Sequence, residues 1–199
     1  LPKRQAMAKQ IVVSATQFFE QINTYLDESD RIDVQEAFAL ARREHGQQRR
    51  KSGELFFTHP LTVAYYLSEY KLDAPALTAA LLHDVAEDTR VTIGEIGNQF
   101  GNDVANVVDG VTKLKDVSDG VAALGRHLTK EELQDATLQK LFSAMTRDVR
   151  TVIIKLFDRL HNMRTLGAMP PHKQKKIANE TLSVYAPLAN RLGMWVVMN

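Results

Sequence analysis

The 199-residue chain has the composition of an ordinary globular protein, with 44% hydrophobic and 25% charged residues. Its net charge of +1 excludes a strong global attraction for nucleic acid or anionic lipid, so any anion site must be local. The absence of cysteine excludes disulfides and thiolate metal sites, so nitrogen and oxygen atoms would hold any metal. No apolar run reaches the roughly 18 residues of a membrane span. The lack of cysteine is compatible with the reducing cytoplasm, where we expect the protein to lie.

Apolar periodicity and capping signals predict helices in the first part of the chain. A first helix is expected over residues 11–26, closed by a polar loop at 27–30. From Val34 onward, apolar residues recur at three- and four-residue spacing, which predicts an amphipathic helix ending near Gly46. Pro60 suits the first position of the next helix, because that position needs no amide donor.

Similar signals continue through the middle of the chain. Asp73 is a candidate N-cap, and capping-box sequences begin at Thr92 and Thr129. Gly101 is expected to end the short helix that begins after Thr92. Residues 116–129 are rich in Gly, Ser and Asp, which predicts a loop and the most mobile segment of the chain.

The C-terminal part is also predicted to be helical. A β-branched run at 151–154 could be a strand, but polar residues continue at helical spacing after it and residues 147–166 are too many for one strand. Residues 173–185 are expected to form the last helix, before Pro187. The predicted fold class is all-α, with roughly ten helices.

One predicted helix carries an unusual polar end. Residues 77–82 are apolar nearly all round, so this helix should be buried. His83, Asp84, Glu87 and Asp88 then fall within an arc of roughly 140° around the helix axis. Burying unpaired carboxylates is costly, so a cation must face them, and a divalent metal is the simplest candidate.

Four side chains are the candidate metal ligands: His59, His83, Asp84 and Asp158. Two imidazoles and two carboxylates suit Mn²⁺, Fe²⁺ or Zn²⁺ better than they suit Ca²⁺ or Mg²⁺. Adjacent helical residues such as His83 and Asp84 diverge by about 100°, so a shared ion must lie over the edge between them. A His-Asp pair alone is a weak motif, and a histidine bonded to a carboxylate at a helix end is the ordinary alternative.

Glu87 and Asp88 are too many acids for an ion that already has two carboxylates. We interpret them as groups that orient a bound water and accept its proton. The alternative is that both are solvated at the helix end and pair with Arg90.

A basic run lies in the predicted loop before His59. Arg49, Arg50 and Lys51 precede Ser52 there, and arginine and lysine side chains suit a phosphate-rich substrate. Such a run is also typical of a solvated loop or a weak nucleic-acid patch.

The helix over residues 147–166 presents a further polar face. Asp158, Asn162 and Thr165 share that face, with His161 at its flank. Asn162 is placed to contact a substrate hydroxyl or phosphate.

Nearby arginines, aromatic residues and other histidines are interpreted as structural. Ion pairs are expected of Arg159 and Arg164, and core packing of Phe56 and Phe57. Three histidines are left as structural or surface residues: His45, His127 and His172.

Taken together, these motifs closely resemble the hydrolase half of the RelA/SpoT homologues. Four segments carry the resemblance: 50–60, 83–88, 109–114 and 158–166. Residues 185–193 are similar to the segment that leads towards the synthetase domain of that family. The resemblance implies an HD-type helical bundle and a manganese-dependent hydrolase that removes the 3′-pyrophosphate of (p)ppGpp, leaving GDP or GTP.

The resemblance also implies roles for individual residues. It matches the four candidate ligands to the family's metal ligands, and it matches Glu87 and Asp88 to the catalytic acids. The residues that would line the nucleotide are Arg50, Lys51, Ser52, Asn162 and Thr165. The acid block is intact, whereas synthetase-only relatives carry a degraded one, which favours an active hydrolase. Phe157 departs from the family pattern, which has a small residue there, so helix packing and the rate could differ.

Residues 1–199 are interpreted as a single HD-type domain whose last residues lead towards a missing synthetase domain. Both ends look like cuts from a longer chain, and this part should carry hydrolysis alone. The implied partners are guanosine tetra- and pentaphosphate and the synthetase and regulatory domains of the full-length chain. No membrane and no direct nucleic-acid contact is expected.

Two other functions stay open. An HD-fold phosphohydrolase could act on a different nucleotide. Alternatively, the domain could sense the alarmone and set the state of an attached synthetase, with little turnover of its own.

Overall fold

A computed structural model describes residues 13–123 and 129–194, and these form an all-α fold. Within those ranges there are nine α-helices: α1 (Ala15–Ile22), α2 (Glu28–His45), α3 (Thr58–Glu69), α4 (Ala74–Asp88), α5 (Ile93–Ala123), α6 (Lys130–Arg147), α7 (Val149–Arg164), α8 (Pro171–Glu180) and α9 (Ala186–Arg191). A 3₁₀ turn at Leu166–Ala168 and a π-helical turn at Thr181–Tyr185 complete the described elements. The predicted all-α class is confirmed. None of the helices in the described ranges is both long and apolar enough to cross a bilayer.

The N-terminal boundaries differ from the sequence prediction. α1 covers only Ala15–Ile22, because Ser14 caps it with a reciprocal bond to Gln17; residues 11 and 12 lie outside the described ranges. The predicted polar loop at 27–30 is instead the start of α2. The Asp27 side chain accepts a hydrogen bond from the backbone N–H of Asp30 and so begins the helix.

α3 begins at Thr58, so His59 and Pro60 both lie in its first turn. This confirms the expected place of His59 at the start of a helix, with Pro60 slightly further in than predicted. Asp73 caps α4 as predicted, accepting from the N–H of Ala76.

Gly101 interrupts α5 as predicted. Its φ of 87° and ψ of 159° break the helical path within Ile93–Ala123, and glycine reaches that positive φ without a steric penalty. The predicted loop at 116–129 is wrong for its first part, because the backbone stays helical to Ala123. Residues 124–128 lie outside the described ranges.

The C-terminal helix also differs from the prediction. α8 begins at Pro171 rather than at residue 173, and the chain does not end its helical course at 185. A π-helical turn leads directly into α9, and Pro187 occupies the first turn of α9. The helical backbone therefore continues past Pro187 to Arg191, whereas the last helix was expected to end before this proline.

The fold is organised around α4, which contacts α2, α3, α5 and α7. Its residues 76–85 are all buried, as their apolar composition predicted. A second apolar cluster joins α6, α7 and the C-terminal turns. Helix α7 belongs to both clusters, since Ile154 and Phe157 face the first and Val152 and Leu156 face the second. The polar face of α7 is thereby fixed against the end of α4.

Two packing contacts fix the position of α7. Phe157 is 1% exposed, and its ring lies 5.9 Å from the ring of Tyr66 and 5.4 Å from that of Tyr70. The unusual bulky residue before Asp158 is therefore accommodated in an aromatic cluster. On the other side, a Cβ on Gly110 of α5 would lie 2.8 Å from Oγ1 of Thr151, so α5 and α7 approach closely only because residue 110 is glycine.

Candidate functional site

Three of the predicted ligands converge at the end of α4. One potential ligating atom from each of His59, His83 and Asp84 lies within 4.8 Å of the others. These residues are 3%, 1% and 8% exposed. The convergence arises because α3 brings His59, in its first turn, against the C-terminal turns of α4.

Asp158 joins the cluster from α7. Its Oδ1 lies 3.1 Å from Nε2 of His59, and Oδ2 of Asp84 lies 3.6 Å from the same nitrogen. All four predicted ligands are thus brought together from three helices far apart in the sequence. These four residues form the His-Asp cluster.

The cluster has the donor chemistry that a divalent cation requires. Nδ1 of His83 lies 2.7 Å from the carbonyl oxygen of Ala80, so Nδ1 carries the ring proton and Nε2 keeps its lone pair. Nε2 is buried without a hydrogen-bond partner. It lies 3.3 Å from Oδ1 of Asp84, but two lone pairs that face each other do not form a bond. A cation at this point would give Nε2 of His83 a partner and would attract the carboxylate, so the residues present fit a divalent metal.

A cavity of about 540 Å³ opens beside the cluster. It is lined by all the residues predicted to contact a nucleotide: Arg50, Lys51, Ser52, Asn162 and Thr165. Nη2 of Arg50 donates to Oδ1 of Asn162 at 2.9 Å and approaches Oγ1 of Thr165 at 3.5 Å, which ties the basic loop to α7. The volume lies within the range of small-molecule sites.

Glu87 and Asp88 also line this cavity, at the last residues of α4. Glu87 is half-buried and Asp88 is exposed. Both predicted catalytic acids therefore border the same space as the His-Asp cluster and the basic loop.

Comparison with known proteins identifies the family. Residues 37–195 match the model of the HD domain. The chain belongs to the HD domain family.

This chain also has individual relatives that support its resemblance to the RelA/SpoT homologues. It is 45% identical over 180 residues to the bifunctional (p)ppGpp synthase/hydrolase SpoT of Escherichia coli, and 49% identical over 161 residues to a probable GTP pyrophosphokinase of Mycobacterium leprae. These alignments cover 88% and 81% of this chain but only 24% and 19% of the relatives, so the chain spans about a quarter or less of their length. The predicted resemblance to the RelA/SpoT homologues is confirmed.

A solved structure agrees with this assignment. It is described as a metazoan orthologue of SpoT that hydrolyses ppGpp and plays a role in starvation responses. This chain superposes on that structure with a TM-score of 0.60 at 28% sequence identity. The superposition covers 80% of this chain and 85% of the other.

Lys155 also lies in this candidate site, although the sequence did not single it out. Its Nζ lies 2.7 Å from Oδ2 of Asp158, and it lines the cavity. Burial opposes ionisation of Asp158, but the Lys155 ammonium and the contact with His59 outweigh it and hold the pKa of Asp158 well below its usual range. Burial would also neutralise Lys155, yet the attraction of Asp158 outweighs it and raises the lysine pKa. A lone lysine in an apolar helical stretch was the available signal.

His161 is the second residue that the sequence analysis did not assign. It is 4% exposed, and its Nδ1 lies 2.7 Å from Nδ1 of His59. Burial, and then the neighbouring His59, lowers the pKa of His161 to about 3, so its ring is neutral at physiological pH. Burial likewise lowers the pKa of His59. His161 follows Asp158 by three residues, about one helical turn, but no pattern in the sequence indicated its partner.

The arginines predicted to be structural behave differently from each other. Arg159 forms the expected ion pair, with Nη2 2.5 Å from Oε2 of Glu180, and its guanidinium also stacks on the ring of Tyr185. Arg164 donates a hydrogen bond to the hydroxyl of Tyr66 and lies over that ring, and its charge also interacts with the carboxylate of Glu69.

The other residues interpreted as structural can also be placed. His45 is buried and bonded to Gln48, and His172 is exposed, as predicted; His127 lies outside the described ranges. Phe57 is in the core, but Phe56 is only half-buried and lines the cavity.

Proposed function

We propose that this chain hydrolyses (p)ppGpp, releasing pyrophosphate from the 3′ position and leaving GDP or GTP. The observation that carries the proposal is the convergence of the His-Asp cluster, two further acids and a basic loop on one cavity of an HD domain. The relatives named for this activity, and the metazoan structure described as hydrolysing ppGpp, support the choice of substrate.

The proposed ligands of the catalytic ion are the four residues of the His-Asp cluster, and the proposed ion is Mn²⁺. When bound, a divalent ion supplies Lewis acidity, which polarises phosphoryl oxygens and makes a coordinated water easier to deprotonate. The nitrogen and oxygen donor set suits Mn²⁺, and it suits Fe²⁺ or Zn²⁺ as well.

Glu87 and Asp88 are proposed to orient the attacking water and to take its proton. The water oxygen forms a bond to the phosphorus attached to the 3′ oxygen, and the bond between that phosphorus and the 3′ oxygen breaks. The proton then passes to the 3′ oxygen, which restores the 3′-hydroxyl of GDP or GTP and releases pyrophosphate. Both acids lie at the end of α4, next to the ligand pair His83 and Asp84.

The remaining residues of the cavity are proposed to bind the nucleotide. Arg50 and Lys51 would offset negative charge that develops on the phosphoryl oxygens. Ser52, Asn162 and Thr165 would contact the sugar and phosphates. The existing bond from Arg50 to Asn162 holds the basic loop against α7 before any ligand arrives.

We further propose that this domain belongs to a longer chain, as in its relatives, and that a synthetase domain and regulatory domains of that chain are its partners. The single-domain assignment of residues 1–199, the cytoplasmic location and the lack of direct nucleic-acid binding stay predictions of the sequence.

The test is metal-dependent pyrophosphate release by this chain. Purified protein is stripped with EDTA, Mn²⁺ is added back, and ppGpp, dGTP and a cyclic dinucleotide are supplied separately. We expect pyrophosphate release from ppGpp only, and we expect Mn²⁺ to restore this release after EDTA has abolished it. Hydrolysis of dGTP in preference to ppGpp would favour the other phosphohydrolase, and tight ppGpp binding without release would favour a sensor.

A further inference from the structure

The contact between His59 and His161 joins a proposed metal ligand to a residue without an assigned role. Their Nδ1 atoms lie 2.7 Å apart, and both rings are almost fully buried. Two imidazole nitrogens at this distance share one proton, so one of them donates and the other accepts. The direction of that bond decides which nitrogen of His59 has a free lone pair.

The opposite nitrogen of His59 faces the acids of the cluster. Nε2 lies 3.1 Å from Oδ1 of Asp158 and 3.6 Å from Oδ2 of Asp84. A neutral imidazole carries only one proton, and a metal ligand must present an unprotonated nitrogen. For Nε2 to bind a cation, the proton of His59 must therefore lie on Nδ1, and Nδ1 must have an acceptor.

His83 shows how the same requirement is met inside a helix. Its Nδ1 donates to the carbonyl oxygen of Ala80, three residues earlier. His59 lies in the first turn of α3, and the carbonyl three residues before it, that of Phe56, already accepts the backbone N–H of His59. A side chain from another helix supplies the acceptor in its place.

We propose that His161 is a positioning residue, which accepts the Nδ1 proton of His59 and so directs the Nε2 lone pair of His59 at the cation. Without a cation, the Nε2–H of His59 donates to Asp158, and His161 donates to Nδ1 of His59. When a cation binds, the bond between the two rings reverses direction, and each ring keeps one proton. This inference rests on the ligand set of the proposed function.

Two substitutions separate the hydrogen bond from simple packing. His161→Asn places an amide oxygen near the position of Nδ1 and keeps an acceptor, whereas His161→Leu fills the space without one. Removal of such an outer hydrogen-bond partner weakens metal binding about 10- to 100-fold. The matched control is His45→Leu, which removes another buried histidine that is bonded to Gln48 and lies outside the cluster.

The measurement is the Mn²⁺ dissociation constant, read from the EPR signal of free Mn²⁺, with circular dichroism used to check folding. We expect His161→Leu to weaken binding about 10- to 100-fold and His161→Asn to remain close to wild type, with His45→Leu unchanged. Equal binding by folded His161→Leu and wild type would overturn the inference and leave the proposed function standing. If His161→Leu does not fold, His161→Gln takes its place, because its longer side chain moves the acceptor away from the Nδ1 position. We then expect His161→Gln to bind Mn²⁺ about 10- to 100-fold more weakly than His161→Asn, and equal binding by these two variants would overturn the inference. A wild-type chain that binds no Mn²⁺ would overturn the ligand set and this inference together.

Discussion

Nζ of Lys155 lies 2.7 Å from Oδ2 of Asp158 inside the site, where the two side chains are 13% and 8% exposed. The lysine is a fixed internal counter-ion for a cluster that contains several carboxylates. It supplies positive charge to the cluster before any divalent ion is bound. Oδ1 of Asp158 remains directed at His59 and Asn162.

Removal of this counter-ion should make the fold depend on metal. Lys155→Met leaves the carboxylate of Asp158 buried without its cation, which we expect to lower the free energy of unfolding by about 3–5 kcal/mol in EDTA. Added Mn²⁺ should restore part of the loss, so the rise in Tm on adding Mn²⁺ should be larger in the variant. Lys113→Met, at a lysine that is 64% exposed and paired with Asp109, is the control. Identical melting of Lys155→Met and wild type in EDTA would show that Lys155 has no such role.

Separate substitutions should distinguish metal binding from proton transfer. Asp84→Ala should abolish Mn²⁺ binding and pyrophosphate release together, because it removes a ligand of the cluster. Glu87→Gln should bind Mn²⁺ normally and lose about 10²- to 10⁴-fold in turnover, the usual contribution of a general base. Glu36→Gln, at an exposed position on α2, is the matched control. Full turnover by Glu87→Gln would refute its assigned role.

The close approach of α5 and α7 gives a prediction about stability. Gly110→Ala places a methyl group within 2.8 Å of Oγ1 of Thr151, and such overpacking typically costs about 1–3 kcal/mol. Thr151→Ala removes the atoms in the way, so the double variant should recover much of the loss in urea unfolding. Gly167→Ala, which meets nothing within 4 Å, is the control. Additive losses in the double variant would be inconsistent with a clash between these two residues.

Arg150 joins three helices and gives the fold a pH dependence. Its guanidinium bonds to Asp148 at 2.6 Å, to Asp103 at 2.6 Å and to Asp73 at 3.0 Å. The hydrogen bonds from Arg150 lower the pKa of Asp148. Because the folded pKa is below the unfolded value, the stabilisation is fully present above about pH 4 and is lost as the pH falls through the folded pKa.

Asp148→Asn should therefore cost about 1–2 kcal/mol at neutral pH, and its difference from wild type should shrink below about pH 4. Urea unfolding across that range measures the effect. Asp103→Asn, at a side chain that is 59% exposed, should cost less at every pH. A difference for Asp148→Asn that stays constant down to acid unfolding would argue against the ion pair as its cause.

The sequence was sufficient to find the four members of the His-Asp cluster because their chemistry conflicts with their surroundings. His83 and Asp84 follow an apolar helical stretch, and buried carboxylates require a cation. His59 next to Pro60 marked the start of a helix. Their convergence follows from the packing of α3 and α7 on α4, which the pattern alone did not specify.

What the sequence did not reveal depends on contacts between distant segments. His161 has a role only because α3 places His59 beside it, 102 residues earlier in the chain. The backbone stays helical from residue 116 to Ala123 despite the loop preference of the Gly and Ser residues there. The end of the last helix was misplaced because a π-helical turn, which does not follow the 3.6-residue period, carries the helix on to Pro187.

Whether the His-Asp cluster holds one ion can be measured by the anomalous scattering of manganese in crystals of this chain grown with Mn²⁺. We expect one strong peak in contact with Nε2 of His59, Nε2 of His83 and carboxylate oxygens of Asp84 and Asp158. A manganese peak elsewhere in the cavity, with these four side chains still bonded only to one another, would contradict it.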